Sequence, residues 1–501
     1  MSKALGTFRA VYLVALCCVG SFLFAYDTGI VGGILTFESF QADFRYGAAQ
    51  QATVASNSTS LLQAGAFFAC FFVWPFTAKF GRRWSLVLAS MIFCIGAIVQ
   101  TINTHSIGAF YVARVVSGIG VGMATVIIPM YSGRTQLSRE WTAEMAPKNI
   151  RGMLGSMFQF FFTLGVMTSY WIDYAVSKHL GPTTAQWQIP VGLQLAPGAV
   201  LGLGMLLTKE STRWLAKKGR REEALRSLVW VRGGEGPEVE KEFAEILAGI
   251  EEEERVTDGV TWRELLLPVN RMRVFLIIAL QIGAQLTGNT SLAYYAPQVF
   301  KLVGAGNNNL LITGFFGVVK VISCLFFLLF LVERIGRRGS LLGGALLMGI
   351  YMLIIAVLTA TNPPSASQGL TPTAIASMTM IYLEAMSYNI SWGPVPWVYM
   401  SEIFPSRIRE AGVAIGTSTQ WLFNFVFSQA TPHAVENLGW KTFVMFAVFN
   451  FALVVFVWFF IKETKGKSLE EMEALFGAIM ARPDVESADS KGDHERTEGG
   501  E

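Results

Sequence analysis

Three ionisable side chains lie inside stretches of sequence that are otherwise strongly apolar. Asp27 lies in the first such stretch, Lys320 near the middle of a later one, and Glu384 in a third. Within a membrane such groups are costly, and they are kept where they bind a proton or an ion or pair with one another. These three residues are therefore the first candidates for chemistry in this chain.

Lys320 is the most constrained of the three, because it lies about ten residues, or ~15 Å of helix, from either end of its apolar run. Its amine cannot easily reach the membrane surface, so it must face a cavity or pair with an acid. In one interpretation Lys320 is a cation for an anionic ligand such as a carboxylate. In the other it forms a structural pair with Glu384. The two interpretations are compatible if Lys320 pairs with Glu384 in the absence of ligand and the ligand takes the place of Glu384 when it binds.

Twelve apolar runs position these residues, each long enough to cross the ~30 Å hydrocarbon core of a bilayer. They lie near 9–33, 56–78, 84–104, 109–131, 152–173, 189–207, 273–299, 309–332, 340–360, 374–400, 412–430 and 440–461. The chain is 52% hydrophobic and only 15% charged, and most runs lack the polar stripe of a soluble helix. We therefore expect an all-α membrane protein with twelve transmembrane helices.

Three sequence landmarks occur twice, in the same order. They are Gly81-Arg82-Arg83 with Gly336-Arg337-Arg338, the pattern E-x-x-P-x-x-I-R at 144–151 and 402–409, and Lys209-Glu210-Ser211 with Lys462-Glu463-Thr464. Such repetition indicates two homologous halves, a construction typical of secondary transporters with a binding site between the halves. We expect an N-terminal half at 1–207, a cytoplasmic linker with short helices at 208–272, a C-terminal half at 273–465 and a mostly disordered cytoplasmic tail at 466–501.

The repeat also exposes an irregularity in the first half. Tyr131 and Glu144 are much further apart than Tyr399 and Glu402, which leaves about ten extra polar residues around 133–142. These residues are either a regulatory loop or, as we favour, a tolerated insertion or an artefact of the gene model.

Lys and Arg residues indicate the orientation, because they are enriched in cytoplasmic loops. The loops predicted to be inside hold Lys79, Arg82, Arg83, Lys148, Arg151, Arg334, Arg337, Arg338, Arg407 and Arg409, against Arg45, Lys178, Lys301 and Lys441 outside. Both termini are therefore expected in the cytoplasm. The net charge of +3 reflects this topology and does not suggest nucleic-acid binding.

Several motifs together resemble the sugar porter family of the major facilitator superfamily, over about residues 10–465. Beside both Gly-Arg-Arg loops, they are Arg114-x-x-x-Gly118-x-Gly120-x-Gly122, Pro129-x-Tyr131, Gln285-Leu286-Thr287-Gly288, Tyr294-Tyr295, Gly393-Pro394-Val395-Pro396-Trp397 and Glu463-Thr464-Lys465-Gly466. The stretch from Trp421 to His433 further resembles fungal quinate and sugar permeases. The resemblance implies two pseudo-symmetric six-helix halves around a central cavity, alternating access and a plasma-membrane location.

Residue roles follow from the resemblance. Asp27 with Arg114 is similar to the proton switch of coupled relatives: the guanidinium favours the ionised carboxylate and burial favours the protonated one, so protonation can follow conformation. A static ion pair is the alternative. The substrate-binding candidates are Gln159, Gln281, Gln285, Thr290, Lys320, Trp397, Gln420 and Asn424. The cytoplasmic gating candidates are Gly81, Arg82, Arg83, Glu144, Arg151, Glu333, Arg334, Gly336, Arg337, Arg338, Glu402 and Arg409.

The sequence departs from the family pattern in the seventh span, where Ala284 replaces a glutamine and Asn289-Thr290 replaces Ile-Asn. Ordinary hexose recognition is therefore not the first expectation.

We expect proton-coupled uptake of a monosaccharide or a related polyhydroxy acid such as quinate or a sugar acid. The alternatives are a neutral hexose or pentose transporter, coupled or facilitative, and a nutrient sensor. The expected partners are the small-molecule substrate, the proton and the lipid bilayer, with the monomer as the functional unit. The chain has no phosphate-binding loop, metal-ligand spacing or nucleophile triad, so no cofactor, metal or enzymatic activity is expected.

Overall fold

The structure, a computed structural model, describes residues 3–132, 151–257, 262–331, 334–363, 370–405 and 407–465, together with Glu471 and Phe476. The described residues are helical, with turns between the helices. The predicted insertion at 133–142, Glu144, Glu333 and most of the predicted tail lie outside the described residues, as does the side chain of Arg151.

The first half contains eight helices that make six spans. They are α1 (Lys3–Ile34), α2 (Glu38–Phe44), α3 (Gln51–Phe80), α4 (Arg82–Thr101), α5 (Ile107–Ser132), α6 (Arg151–His179), α7 (Ala185–Leu193) and α8 (Leu195–Leu206). Helix α2 is a short helix between spans, and α7 and α8 together form the sixth span. Three helices follow in the linker, namely α9 (Thr212–Lys217), α10 (Arg221–Arg232) and α11 (Pro237–Thr257).

The second half contains nine helices. They are α12 (Pro268–Leu286), α13 (Asn289–Tyr294), α14 (Ala296–Leu302), α15 (Asn309–Phe326), α16 (Arg337–Thr361), α17 (Pro372–Ile390), α18 (Val395–Ile403), α19 (Arg409–Leu438) and α20 (Lys441–Phe460). A π-helical segment at Phe327–Leu331 extends α15.

Eight helical segments of the described chain are long and apolar enough to cross a membrane by length and composition. The other predicted spans correspond to α6, to the interrupted helices α12–α14 and α17–α18, and to α19, which carries buried polar residues such as Asn424 and Ser428. The predicted architecture of twelve spans in two six-helix halves is therefore confirmed.

Two spans of the second half are broken part of the way along their length. Helix α12 ends at Leu286, and Gly288 then adopts a left-handed conformation with a φ of 89°. A glycine in this conformation ends a helix because it has no Cβ to clash with the backbone. The second break separates α17 from α18 at residues 391–394, within the Gly-Pro-Val-Pro-Trp motif and the residues just before it. Backbone of this kind is tolerated at membrane depth where it is buried in protein or lines a cavity.

The hydrophobic cores show which membrane face is closed. One core joins both halves near the end of α1, with Ile34 and Tyr170 from the first half and Phe300 and Phe446 from the second. At the other face, which carries the two Gly-Arg-Arg loops, each half has a separate core. We call the first the closed face and the second the basic face. The two halves therefore share one core at the closed face and have separate cores at the basic face.

Polar contacts reinforce the closed face. Ser60 of α3 donates a hydrogen bond to Gln429 of α19 at 2.6 Å, and the Tyr170 hydroxyl of α6 donates to the carbonyl of Ala293 at 2.6 Å. The side-chain amide of Gln298 donates to the carbonyl of Gly32 in α1 at 3.0 Å. Each of these bonds joins one half to the other, so opening this face must break them.

Candidate functional site

Asp27 and Arg114 form a buried ion pair inside the first half. The Arg114 Nη1 atom lies 2.6 Å from Asp27 Oδ1, and the two side chains are 2% and 0% exposed. Arg114 Nε also donates to the carbonyl of Ser58 at 2.7 Å, which fixes the guanidinium against α3. The second carboxylate oxygen of Asp27 has no hydrogen-bond partner among the described residues.

Lys320 is joined to Glu384 through one amide side chain. Lys320 Nζ donates to Asn289 Oδ1 at 3.2 Å, and Asn289 Nδ2 donates to Glu384 Oε2 at 2.9 Å. The amine also lies 5.2 Å from the ring centroid of Phe316, a favourable cation–π distance. All three members of this chain are buried: Lys320 is 4% exposed, Asn289 1% and Glu384 0%. We call Lys320, Asn289 and Glu384 the ionic chain.

The sequence pattern did not predict Asn289 as a binding residue. Its position departs from the family pattern, and that departure was the available signal. Its amide presents an acceptor to the lysine and a donor to the glutamate, so one neutral side chain connects two buried charges. The predicted direct pair of Lys320 with Glu384 is therefore a bridged pair, and Glu384 Oε1 has no described hydrogen-bond partner.

Several predicted binding amides are buried with unused hydrogen-bonding atoms. Both side-chain atoms of Gln285 lack a described partner, as do the Oε1 atoms of Gln281 and Gln420. An unpaired buried amide costs about 1–3 kcal/mol, so such groups suit a ligand that supplies donors and acceptors. A polyhydroxylated molecule does so all round its ring.

The other predicted binding residues have different surroundings. Asn424 donates to the hydroxyl of Tyr294 at 3.1 Å and is therefore engaged within the second half. Gln159 and Thr290 are half-buried. Trp397 in α18 is 39% exposed, although it lies in a membrane-spanning segment.

On the basic face each Gly-Arg-Arg loop is capped by a glutamate from the end of its own half. Glu210 accepts from the backbone N–H of Arg82 at 2.9 Å, and Glu463 accepts from that of Arg337 at 2.8 Å. These bonds satisfy the first amides of α4 and α16 and place a negative charge at two helix N-termini, where it is stabilising. The repeated landmarks thus have one shared structural role, which the sequence alone did not indicate.

The arginines of these loops also follow the repeat. Arg83 donates to the carbonyl of Leu206 at 2.8 Å, and Arg338 donates to that of Trp458 at 2.7 Å. In the second half, Arg337 also bonds Glu402 at 2.9 Å. Arg409 Nε donates to the carbonyl of Phe404 at 3.2 Å. The carbonyl of Arg334 accepts from the amine of Lys465 at 2.8 Å.

Burial and hydrogen bonding act in opposite directions on the Glu463 carboxyl. Partial burial tends to raise its pKa. Backbone N–H groups donate to the carboxylate and outweigh this, so the pKa lies below its ordinary value. The donors are the amides of Lys465, Arg337, Arg338 and Thr464.

Asp173 of α6 is a buried carboxylate that the sequence analysis did not select. It is 1% exposed, and neither oxygen has a described hydrogen-bond partner. It packs so closely on α1 that a Cβ at Gly33 would lie 2.1 Å from its Oδ2 atom. Its position at the end of an apolar run was the available signal.

The described residues contain no group of three or more His, Cys, Asp or Glu side chains that could hold a metal ion. The five cysteines are free thiols.

Comparison with known proteins relates this arrangement to solute carriers. The family model described as "Sugar (and other) transporter" matches residues 13–476. A quinate permease of Emericella nidulans is 34% identical over 484 residues, which cover 93% of this chain and 88% of the permease. A probable quinate permease of Aspergillus flavus is 34% identical over 493 residues, covering 95% of this chain and 89% of the relative.

Solved structures of a sugar transporter are also similar to this chain. The proton:xylose symporter XylE, bound to 6-bromo-6-deoxy-D-glucose, superposes with a TM-score of 0.72 at 26% identity, covering 94% of this chain and 100% of the symporter. The inward open conformation of the xylose transporter XylE from E. coli gives a TM-score of 0.75 at 26% identity, covering 92% of this chain and 98% of the transporter.

Proposed function

This chain belongs to the sugar transporter family of the major facilitator superfamily, and we propose that it is a proton symporter for a cyclic polyhydroxy acid such as quinate. It is an integral multi-pass membrane protein, and its relatives are permeases and symporters rather than enzymes. The two halves would rock about a central site in alternating access, with the basic-face loops closing one side.

The observation that carries the substrate assignment is the buried amine of Lys320 in the same half as side-chain amides with unused hydrogen-bonding atoms. A carboxylate is the natural partner of a buried ammonium group, and hydroxyl groups are natural partners of Gln281, Gln285 and Gln420. The two relatives described above bear the names quinate permease and probable quinate permease, and quinate combines one carboxylate with several hydroxyls. Gln159, Thr290, Trp397 and Asn424 are proposed to complete the site.

The ion pair of Asp27 with Arg114 is the proposed proton carrier. A proton on Asp27 weakens its bond to the guanidinium, and a change in hydration between the two conformations changes its affinity for the proton. We therefore expect Asp27→Asn to abolish uphill accumulation while exchange of labelled for unlabelled substrate persists. Loss of both processes, with normal amounts of protein in the membrane, would make Asp27 a structural residue.

A neutral hexose or pentose is the second candidate substrate. Two observations favour it: the solved neighbour transports xylose, and the Lys320 amine already has a hydrogen bond to Asn289 and the ring of Phe316 beneath it. In that case the ionic chain would be purely structural. Passive facilitation and nutrient sensing are further alternatives.

We also propose the division into halves at 1–207 and 273–465 around the linker, cytoplasmic termini, a plasma-membrane location and a functional monomer. The basic face would then be cytoplasmic, and the described conformation would be closed to the outside.

The test is uptake of labelled quinate, galacturonate, glucose and xylose by yeast that lacks its own transporters. We expect uptake of an acid that a protonophore abolishes, that Lys320→Met removes and that Lys301→Met leaves intact. Lys301 is an exposed lysine of α14 and controls for the loss of a positive charge. Uptake of neutral sugars alone, unchanged in Lys320→Met, would select the second candidate. Uptake insensitive to the protonophore would indicate facilitation.

A further inference from the structure

The Glu384 carboxylate is positioned to couple a second proton to an anionic substrate, an inference that rests on the proposed function. It lies in α17, in the second half, and is fully buried. Its Oε2 atom is held by Asn289, and its Oε1 atom has no described partner. Its link to Lys320 therefore passes through one neutral amide.

The number of protons on the ionic chain follows from charge balance. With no substrate bound, the chain is electrically neutral when Lys320 and Glu384 share one proton. That proton is on the amine if both groups are charged and on the carboxyl if both are neutral, and the count is the same in either case. Since an unbalanced charge is expensive in a buried site, this one-proton state is the stable empty state.

An anionic substrate changes the number of protons that the ionic chain holds. Its carboxylate needs the ammonium form of Lys320, which leaves Glu384 as a second negative charge with no counterion of its own. Protonation of Glu384 restores neutrality, so the bound chain holds two protons. One proton must therefore be taken up for each carboxylate bound, whichever residue held the first.

We propose that Glu384 is a second proton-binding residue of this transporter, which protonates when the carboxylate of the substrate occupies Lys320. With the proton on Asp27, two protons would then accompany each monovalent anion, and transport would carry net positive charge. A neutral substrate makes no such demand and would move with the Asp27 proton alone.

The surroundings of Glu384 contain no competing buried charge in the described part of the chain. Helix α15 presents Lys320, and α13 presents Asn289 and the un-ionised phenol of Tyr294. Tyr388 lies one turn further along α17 itself. The charged residues of the neighbouring helix α16 are Arg337 and Arg338, which lie at its start on the basic face.

The experiment compares quinate with its uncharged amide as ligands of the purified protein. Both have the same ring and hydroxyls, and Asp27 titrates equally with either, so the difference between them isolates the ionic chain. Between pH 5.5 and 7.5 we expect the Kd of quinate to rise tenfold per pH unit more steeply than that of the amide, as linkage to one extra proton requires.

Two variants complete the test. In the wild type, quinate but not its amide should produce the infrared band of a newly protonated carboxylic acid, and this band should be absent in Glu384→Gln, where any proton taken up must be on Lys320. In Glu436→Gln, which alters an exposed glutamate of α19, the band should persist. In proteoliposomes, quinate uptake by the wild type should generate an inward current, as two protons per monovalent anion require.

The outcomes separate the two proposals. Equal slopes for quinate and the amide in the wild type would overturn the role of Glu384 while leaving acid transport intact. A steeper slope for quinate without the carboxylic acid band in the wild type would place the extra proton on Lys320 and would likewise overturn it. Binding of xylose but of neither quinate nor its amide would instead refute the proposed substrate.

Discussion

Gln429 of α19 makes three hydrogen bonds across the closed face. Its Oε1 atom accepts from Ser60 at 2.6 Å, and its Nε2 atom donates to Asn57 at 3.1 Å and Ser56 at 3.3 Å. All three partners lie in α3, in the opposite half. We therefore expect Gln429→Ala to favour opening of this face.

The size of the effect follows from the bonds that are lost. A hydrogen bond inside a protein contributes about 0.5–1.5 kcal/mol net, because water satisfies the same groups when the contact opens. Three bonds to one amide are coupled, so their sum is near the lower end, ~2 kcal/mol. Since 1.4 kcal/mol is tenfold, the open fraction of this face should rise ~30-fold.

Thiol labelling can measure this fraction. Ala293 is buried beneath the closed face, where its carbonyl accepts from Tyr170. In a background without the five native cysteines, a membrane-impermeant reagent should label Ala293→Cys only when the face opens. We expect Gln429→Ala to accelerate labelling ~30-fold. The control is Asn437→Ala in the same helix, which removes an exposed bond to the carbonyl of His433 and should leave the rate unchanged. Equal rates in both variants would refute the assignment of Gln429 as an inter-half contact.

Three further predictions concern single residues elsewhere. Gly81 has a φ of 90°, and a Cβ at this position would lie 2.3 Å from Glu210 Oε2, so we expect Gly81→Ala to lower the melting temperature. The control is Gly219→Ala, which should lower it less, because φ is 75° there but no atom lies within 4 Å of the added Cβ. The pKa of Glu463 is lowered, so its carboxylate stabilises the fold above the ordinary glutamate pKa and loses this effect as the pH falls through the lowered value. Glu463→Gln should therefore be less stable than the wild type at pH 7 and nearly as stable as the wild type at strongly acidic pH. Asp173→Asn should match or exceed the wild-type melting temperature at pH 8, because an ionised Asp173 has no described partner; a lower melting temperature would indicate a partner that forms on ionisation.

The general architecture could be predicted from the sequence because membrane spans and repeats depend on local patterns. Hydrophobic length alone indicates a span, and the repeated Gly-Arg-Arg loops indicated the two halves. The break at Gly288 was harder to predict, because one long hydrophobic run near 273–299 covers it and the break depends on one residue in a left-handed conformation.

The site was predictable only in part. The cost of burying a charge was enough to select Asp27 and Lys320. Asn289 was not selected, because a neutral amide in a span has many possible partners and its role depends on how three helices meet. The caps by Glu210 and Glu463 were missed for a similar reason, since each glutamate lies more than a hundred residues from the loop that it caps.

The central claim is that a proton gradient drives an organic anion through this protein. Purified protein in liposomes, with an imposed gradient that is acid outside, measures this directly through the accumulation of labelled quinate. The proposal predicts accumulation above equilibrium that collapses when a protonophore is added and that is absent in Lys320→Met. Accumulation of xylose but not of quinate, or quinate uptake that stops at equilibrium despite the gradient, would contradict it.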